Sequence, residues 1–291
     1  MSKTDSKGQE IFMSYLFRDS EIFKPAQTGV IDEHVKCLRE YVANIFFYTK
    51  GNTTIMIDAG YNYDRLKEKM AWLDIDPADI KHILITHQDT DHVGAVEEDS
   101  DLLFKDAKLY IGEIENRYMT GEAKRMVMHR TVALSRIRTS NEKVLLIDGE
   151  VFYIDDIKIE CILVPGHTWG HMVYLIDDAY LFTGDTIWFG ADGGYSFIAM
   201  LAEDNNLSVK SLAKLEHLLV KRNLYPKIIT GHTGWTSNRF MAFAHRDRLC
   251  IWHDRKLVHD PEAPYDGYDE SSDTEELARN HPVAEKQFVK Q

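Results

Sequence analysis

The chain has 291 residues, 44% hydrophobic and 28% charged, with a formal net charge of −13. That is the composition of an ordinary globular protein with apolar side chains for one large domain or two small ones. The negative balance argues against a general nucleic-acid binder, whose phosphate partner demands cationic surface, and against docking on anionic lipid.

In chain order, residues 1–7 are polar and Ile11–Phe17 is an apolar start to β structure. No run reaches the roughly 18 apolar residues of a spanning helix and no signal-peptide pattern is visible, so a cytoplasmic location is expected. Residues 35–42 fit strand and helix equally. Asn44–Thr49 and Thr53–Asp58 form a hairpin around Lys50-Gly51-Asn52. Leu66, Met70 and Leu73 have helical spacing, with Asn62 as a cap, and Pro77 opens a turn. Ile83–Thr86 reads as a buried strand, followed by the start of a helix or turn at Val93–Val96.

Residues 112–142 are predicted as mostly helical, an insert or cap, and carry Arg117, Lys124, Arg125, Arg130, Arg136 and Arg138. They read first as a solvated face; the sharper reading is a cap whose cations attract an anionic substrate. Strands follow at Val144–Ile147, Val151–Ile154 and Ile157–Val164, with turns at Asp148-Gly149 and Asp155-Asp156. Ser208 caps a helix with apolar positions Val209, Leu212, Leu215, Leu218 and Leu219, and a second helix is predicted over Arg239–Leu249. Residues 260–291 are rich in Pro, Asp and Glu, an acidic and weakly ordered tail behind one domain over 1–259. Cys37, Cys161 and Cys250 are odd in number and far apart, which predicts buried free thiols rather than a disulfide framework.

The chemistry concentrates in Thr86-His87-Gln88-Asp89-Thr90-Asp91-His92, four potential ligands in six residues on a loop leaving a core strand. Imidazole mixed with carboxylate suits a borderline divalent metal: zinc, iron or manganese. Any one of the four alone would be an ordinary turn or cap residue. Three later strands end in a glycine followed by a ligand type: Gly166-His167, Gly184-Asp185 and Gly231-His232. Glycine permits the tight backbone that turns such a side chain inward.

This series resembles the metallo-β-lactamase superfamily over roughly residues 10–250: its His-x-His-x-Asp-His motif, then Gly-His, Gly-Asp and a final Gly-His. The resemblance implies an α/β, four-layer αββα sandwich with metals at one edge between two sheets. It implies one ion on His87, Asp89 and His167, a second on Asp91, His92 and His232, and Asp185 bridging them. Asp89 stands where the second histidine of the motif is usual. A carboxylate there makes the first position harder and more anionic, which shifts its preference toward iron or manganese or weakens zinc there; two divalent ions are expected, zinc foremost, with iron or manganese as alternatives because of Asp89.

Such a centre brings the pKa of bound water near 7, and two ions about 3.5–4 Å apart can polarise a carbonyl or phosphoryl oxygen. The sequence has no Gly-x-Ser-x-Gly elbow and no phosphate-cradling loop. The expected activity is hydrolysis of an ester-like bond in a small molecule, a lactone, thioester or amide, by a metal-bound hydroxide with Asp91 as proton acceptor. Trp188, Tyr195 and Trp235 either wall a substrate pocket or pack the sandwich. Trp188 replaces a tyrosine that lactone-cleaving relatives carry three residues after the bridging aspartate, which argues against a homoserine lactonase. His171 reads as a hydrogen-bonded core residue or as a partner of the ligands. The alternatives are a di-iron redox protein acting on dioxygen or nitric oxide, and a scaffold that kept only the fold. A homodimer is compatible with the sequence.

Overall fold

The computed structural model describes residues 23–40, 42–61, 66–98, 102–127, 130–131, 137–190, 192–248, 250–253 and 256–259. The apolar start Ile11–Phe17, the cap Asn62 and the acidic tail 260–291 lie outside them, as does the side chain of Cys250.

Two sheets carry the fold. The first contains β1 (Gly29–Val30), β2 (Val35–Glu40), β3 (Ala43–Lys50) and β4 (Thr53–Ile57); after helix α1 (Leu66–Trp72) come β5 (His82–Ile85), the short helix α2 (Thr90–Val93) and β6 (Lys108–Gly112). Helix α3 (Glu113–Thr120) and the short pair β7 (Met126–Val127) and β8 (Arg130–Thr131) precede β9 (Lys143–Leu146), which completes the order β1-β2-β3-β4-β5-β6-β9. The ambiguous residues 35–42 are therefore strand, paired with β3 from Val35↔Tyr48 to Glu40↔Ala43. β4, β5, β6 and β9 run parallel.

The second sheet takes β10 (Val151–Ile154), β11 (Ile157–Leu163), β12 (Met172–Ile176) and β13 (Tyr180–Phe182); the hairpin β14 (Ile187–Gly190)/β15 (Gly193–Ser196) and helix α4 (Asn205–Lys221) follow. β16 (Lys227–Thr230) and β17 (Gly234–Thr236) close the order β10-β11-β12-β13-β16-β17, with β13 and β16 parallel. Helix α5 (Arg239–Ala242) and a pair β18 (Cys250–His253)/β19 (Lys256–His259) end the described chain.

Period-two burial explains the layering. Ile159, Cys161 and Leu163 of β11 face Phe46, Tyr48, Ile55 and Leu84 of the first sheet. The alternate residue Ile162, with Val173, Leu181 and Ile228, packs under Leu212, Leu215 and Leu219 of α4. On the far side, Ile45, Phe47, Met56 and Ile83 pack under Leu66 and Met70 of α1. Three cores between four layers make the αββα sandwich. Cys37 and Cys161 are buried free thiols, and burial pushes Cys37 up to about 12.

Three helix predictions need correction. The helix expected across 112–142 covers only Glu113–Thr120 among the described residues, because Gly121 takes φ 81° and caps it in the left-handed region. The cap of α4 is Asp204, whose carboxylate accepts from Leu207 N; Ser208 lies inside the helix and donates back to the Asp204 carbonyl. The helix predicted over Arg239–Leu249 is the single turn α5, begun by the Asn238 cap.

Candidate metal centre

Parallel strands deliver their C-terminal ends to one edge of the sandwich, and that edge collects the polar loops. His87 follows β5, His167 follows β11, Asp185 follows β13 and His232 follows β16. The three glycines act for different reasons. Gly166 (φ 142°) and Gly184 (φ 49°) hold conformations that disfavour a side chain. Gly231 is needed for space: a Cβ there would lie 2.8 Å from Asp185 Oδ1 and 2.9 Å from His92 Cε1.

The side chains converge in two groups that could each hold a metal ion, His87/His167/Asp185 and Asp91/His92/His232, the potential ligand atoms within each group lying within 4.8 Å of one another. Asp185 stands between them. Its Oδ2 is 3.8 Å from His87 Nε2, 3.7 Å from His167 Nε2 and 3.1 Å from His232 Nε2, and its Oδ1 is 3.4 Å from His92 Nε2. Asp91 Oδ2 lies 3.4 Å from His232 Nε2 and 3.7 Å from His92 Nε2. Asp89 Oδ2 reaches His167 Nε2 at 3.2 Å and His87 Nε2 at 3.8 Å.

Outer partners aim three of these rings. His92 Nδ1 donates to Asp58 Oδ2 (2.8 Å) and His232 Nδ1 to the Val42 carbonyl (2.6 Å), both acceptors only. Thr86 Oγ1 donates to Asp58 and accepts from His87 Nδ1 at 3.0 Å. Each arrangement leaves Nε2 as a lone pair facing the cluster, the state a metal ligand needs. His87 Nε2 and Asp185 Oδ1 are buried without a hydrogen-bond partner. Buried polar atoms are ordinarily paired, and these two face a concentration of ligand atoms, so the residues present fit a divalent cation.

The electrostatics agree. Burial holds the His87 imidazole well below the usual histidine range, helped by the neighbouring His92 and His167. Burial also disfavours the imidazolium of His92, but Asp185, Asp91 and Asp58 outweigh it and raise its pKa well above that range. Burial lifts the Asp91 carboxyl, and Asp185 and Asp89 add to the lift. The carboxylates thus draw positive charge into the cluster, as protons or as metal.

Sequence reasoning missed the supports. Asp58, at φ 58° after β4, accepts from Thr86 N and aims His92. Glu115 of α3 accepts from Gln88 N and from the Thr168 hydroxyl, each at 2.7 Å, and so braces the His87 and His167 loops together. Arg125 is not on a solvated face: it is buried, with Nε 3.1 Å from Asp89 Oδ1 and Nη2 3.3 Å from Asp89 Oδ2. A buried arginine in a basic-looking stretch carries no periodic signal, and only the excess carboxylate at Asp89 hinted at a counter-charge. Asp89 occupies the N-cap position of α2 but makes no side-chain cap bond, which leaves its carboxylate to Arg125.

Comparison with known proteins bears on this geometry. Residues 38–232, every candidate ligand included, match the sequence profile of the "Metallo-beta-lactamase superfamily". The chain belongs to that superfamily. A probable polyketide biosynthesis zinc-dependent hydrolase, BaeB of Bacillus velezensis, is 31% identical over 46% of this chain and 50% of its own length. A hydroxyacylglutathione hydrolase of Shewanella halifaxensis is 33% identical over 38% of this chain and 35% of its own. An atrochrysone carboxyl ACP thioesterase of Aspergillus terreus is 23% identical over 58% of this chain and 46% of its own. The chain thus spans about half or less of the length of these curated relatives. Among solved structures, a B3 metallo-beta-lactamase with an active-site glutamic acid is similar at TM-score 0.56 and 17% identity, covering 81% of this chain and 90% of the other, a likeness of fold.

Within this superfamily centre the aromatic candidates separate. Trp188 is buried with its ring 5.4 Å from His232, in edge contact with Phe23 and Phe197, and Phe197 in turn lies 4.1 Å from His167. Tyr195 pairs with Trp188 across the β14–β15 hairpin, stacks on His245 and donates to Asp192. Trp235 is 43% exposed on β17 with the Lys227 ammonium 4.7 Å over its ring. His171 is a fully buried core residue that also serves the ligands: its Nε2 accepts from Asp185 N at 3.0 Å and its ring stacks on His87.

Proposed function

We propose that this chain is a dinuclear metal-dependent hydrolase that cleaves an ester-like bond of a small molecule. The observation that carries the reading is Asp185: one carboxylate faces histidines of both ligand groups, beside an unpartnered His87 Nε2. His87, His167 and Asp89 would hold one ion, Asp91, His92 and His232 the other, and Asp185 would serve both. Zinc is the proposed ion; the two oxygens of Asp89 are committed to Arg125, which offsets the harder, more anionic character expected of that position and with it the argument for iron. An acyl thioester is the favoured bond, since relatives carry the names hydroxyacylglutathione hydrolase and ACP thioesterase.

Bound divalent ions supply an acidified water and a Lewis acid for the carbonyl oxygen. The protein does the rest. Asp91, partly exposed where Asp185 is buried, would be the proton acceptor, its carboxylate standing beside His92 and His232 on the more open side of the cluster. Asp58, Thr86 and the Val42 carbonyl fix the tautomers. Trp188 and Phe197 keep bulk water from His232 and His167.

The test is hydrolysis of acyl-glutathione and acyl-pantetheine thioesters by the full chain, metal-free and zinc-loaded. Zinc-dependent turnover that Asp185→Ala abolishes is expected. Full activity in that variant would contradict the reading.

A further inference from the structure

Arg125 leaves the loop after α3 and enters the centre from outside both ligand groups. Its fork takes both oxygens of Asp89, the paired geometry that binds a carboxylate most strongly. Nη2 also lies 3.3 Å from His167 Nδ1 and 3.4 Å from His167 Nε2, and donates to the Leu201 carbonyl at 2.7 Å. Behind it stands Glu203, 3.6 Å from Nη1, itself fixed by bonds of 2.6 Å from the Tyr118 hydroxyl and from Met126 N. The guanidinium is therefore seated on several sides and cannot swing away.

The two ligand groups consequently differ in what surrounds them. His92 and His232 are backed by a carboxylate and a carbonyl, which make an imidazole a better donor. His87 is backed by a neutral hydroxyl, and His167 faces a permanent cation. Asp89 shares its charge with that same cation, so the Asp89–Arg125 pair is neutral overall, as the motif's usual histidine is.

We propose that Arg125 is a positioning residue of the metal centre. It holds Asp89 as a charge-compensated carboxylate and makes the position at His87, His167 and Asp185 the weaker of two, so that the ions bind in two distinguishable steps. The inference rests on the reading of the cluster as a dinuclear centre.

The experiment is zinc titration of the metal-free full chain against a chromophoric chelator, with thermal melting of every variant to establish folding. The native chain should bind two ions with affinities at least about tenfold apart. Arg125→Met frees Asp89 and removes the cation, and should tighten the weaker step by about 10- to 100-fold, the usual scale for an outer partner of a metal ligand. Asp89→Asn leaves Arg125 beside His167 with Glu203 as its remaining carboxylate partner, and should abolish the weaker step while changing the tighter one less than about threefold. That second variant decides the matter if Arg125→Met fails to fold. Two equal steps in the native chain, a weaker first position in folded Arg125→Met, or no effect of Asp89→Asn would each overturn the assignment of Arg125 while leaving a dinuclear centre standing. A chain that binds no zinc would overturn the dinuclear reading itself.

Discussion

His92 and His232 direct the same nitrogen, Nε2, at each other across 3.3 Å. Asp58 and the Val42 carbonyl claim the opposite nitrogens, so two lone pairs face one another inside the protein. A proton on one of the rings or a metal ion held by both relieves that arrangement. A site built this way is more stable loaded than empty, because anything that binds only the folded state adds to its stability.

Metal removal is therefore expected to destabilise the fold. An ion at about one hundred times its dissociation constant contributes roughly 3 kcal/mol, which for a chain of this size corresponds to a melting shift of roughly 5–10 °C. Scanning calorimetry before and after chelation, followed by zinc return, measures it; an unchanged melting temperature would refute the linkage.

Asp58→Asn conserves shape but offers an amide N–H where His92 needs an acceptor. The ring is then expected to reverse its tautomer and present Nε2–H to the cluster. Zinc affinity at the position of Asp91, His92 and His232 should fall by about 10- to 100-fold with little change in the fold. Chelator competition gives the affinity, and circular dichroism tests the fold.

The buried glutamates make a pH prediction. Burial pushes Glu115 from 4.5 up to about 8, against the bonds it accepts from Thr168 and Gln88, and pushes Glu203 up to about 7. Between 4.5 and these values the folded state holds more protons than the unfolded one. The share of the metal-free protein's stability that Glu115 carries should then fall as pH rises from 4.5 to about 8, and level off above that. Glu115→Gln, which mimics the protonated acid, should flatten the fall. Denaturant titrations across this range decide it, and an equally steep fall in the variant would locate the effect elsewhere.

Gly170 sits where the His167 loop meets α3. A Cβ there would lie 2.2 Å from Glu115 N, a backbone atom that cannot move without shifting the helix. Gly170→Ala is expected to cost about 1–3 kcal/mol or more and to loosen the Glu115 brace, lowering both melting temperature and zinc affinity. Native stability in that variant would mean α3 can yield.

The seven polar candidates were legible because they fall in four segments that each leave an apolar strand, four of them together after β5, and strand ends are where period and loop chemistry meet. The hairpin at Lys50–Thr53 was legible for the same reason. What stayed hidden is instructive. Gly121 ends α3 at a point where the surrounding residues still suit a helix, and the resulting turn is what brings Arg125 inward. Asp204 and Ser208 are both good caps, and only packing decides between them: Gly166 approaches so closely that a Cβ there would lie 2.4 Å from Ser208 N, inside the helix. Tyr195 and Trp188 are cross-strand partners on the hairpin, yet the Trp188 ring lies beside His232 and the Tyr195 ring stacks on His245. Tertiary contacts made these choices, and local sequence does not encode them.

The central claim, two ions sharing Asp185, is tested most directly by anomalous scattering at the zinc edge from crystals of the zinc-loaded full chain. Two peaks are expected, one bordered by His87, His167 and Asp185 and the other by Asp91, His92 and His232, with Asp185 adjacent to both. A single peak, or peaks away from Asp185, would contradict it.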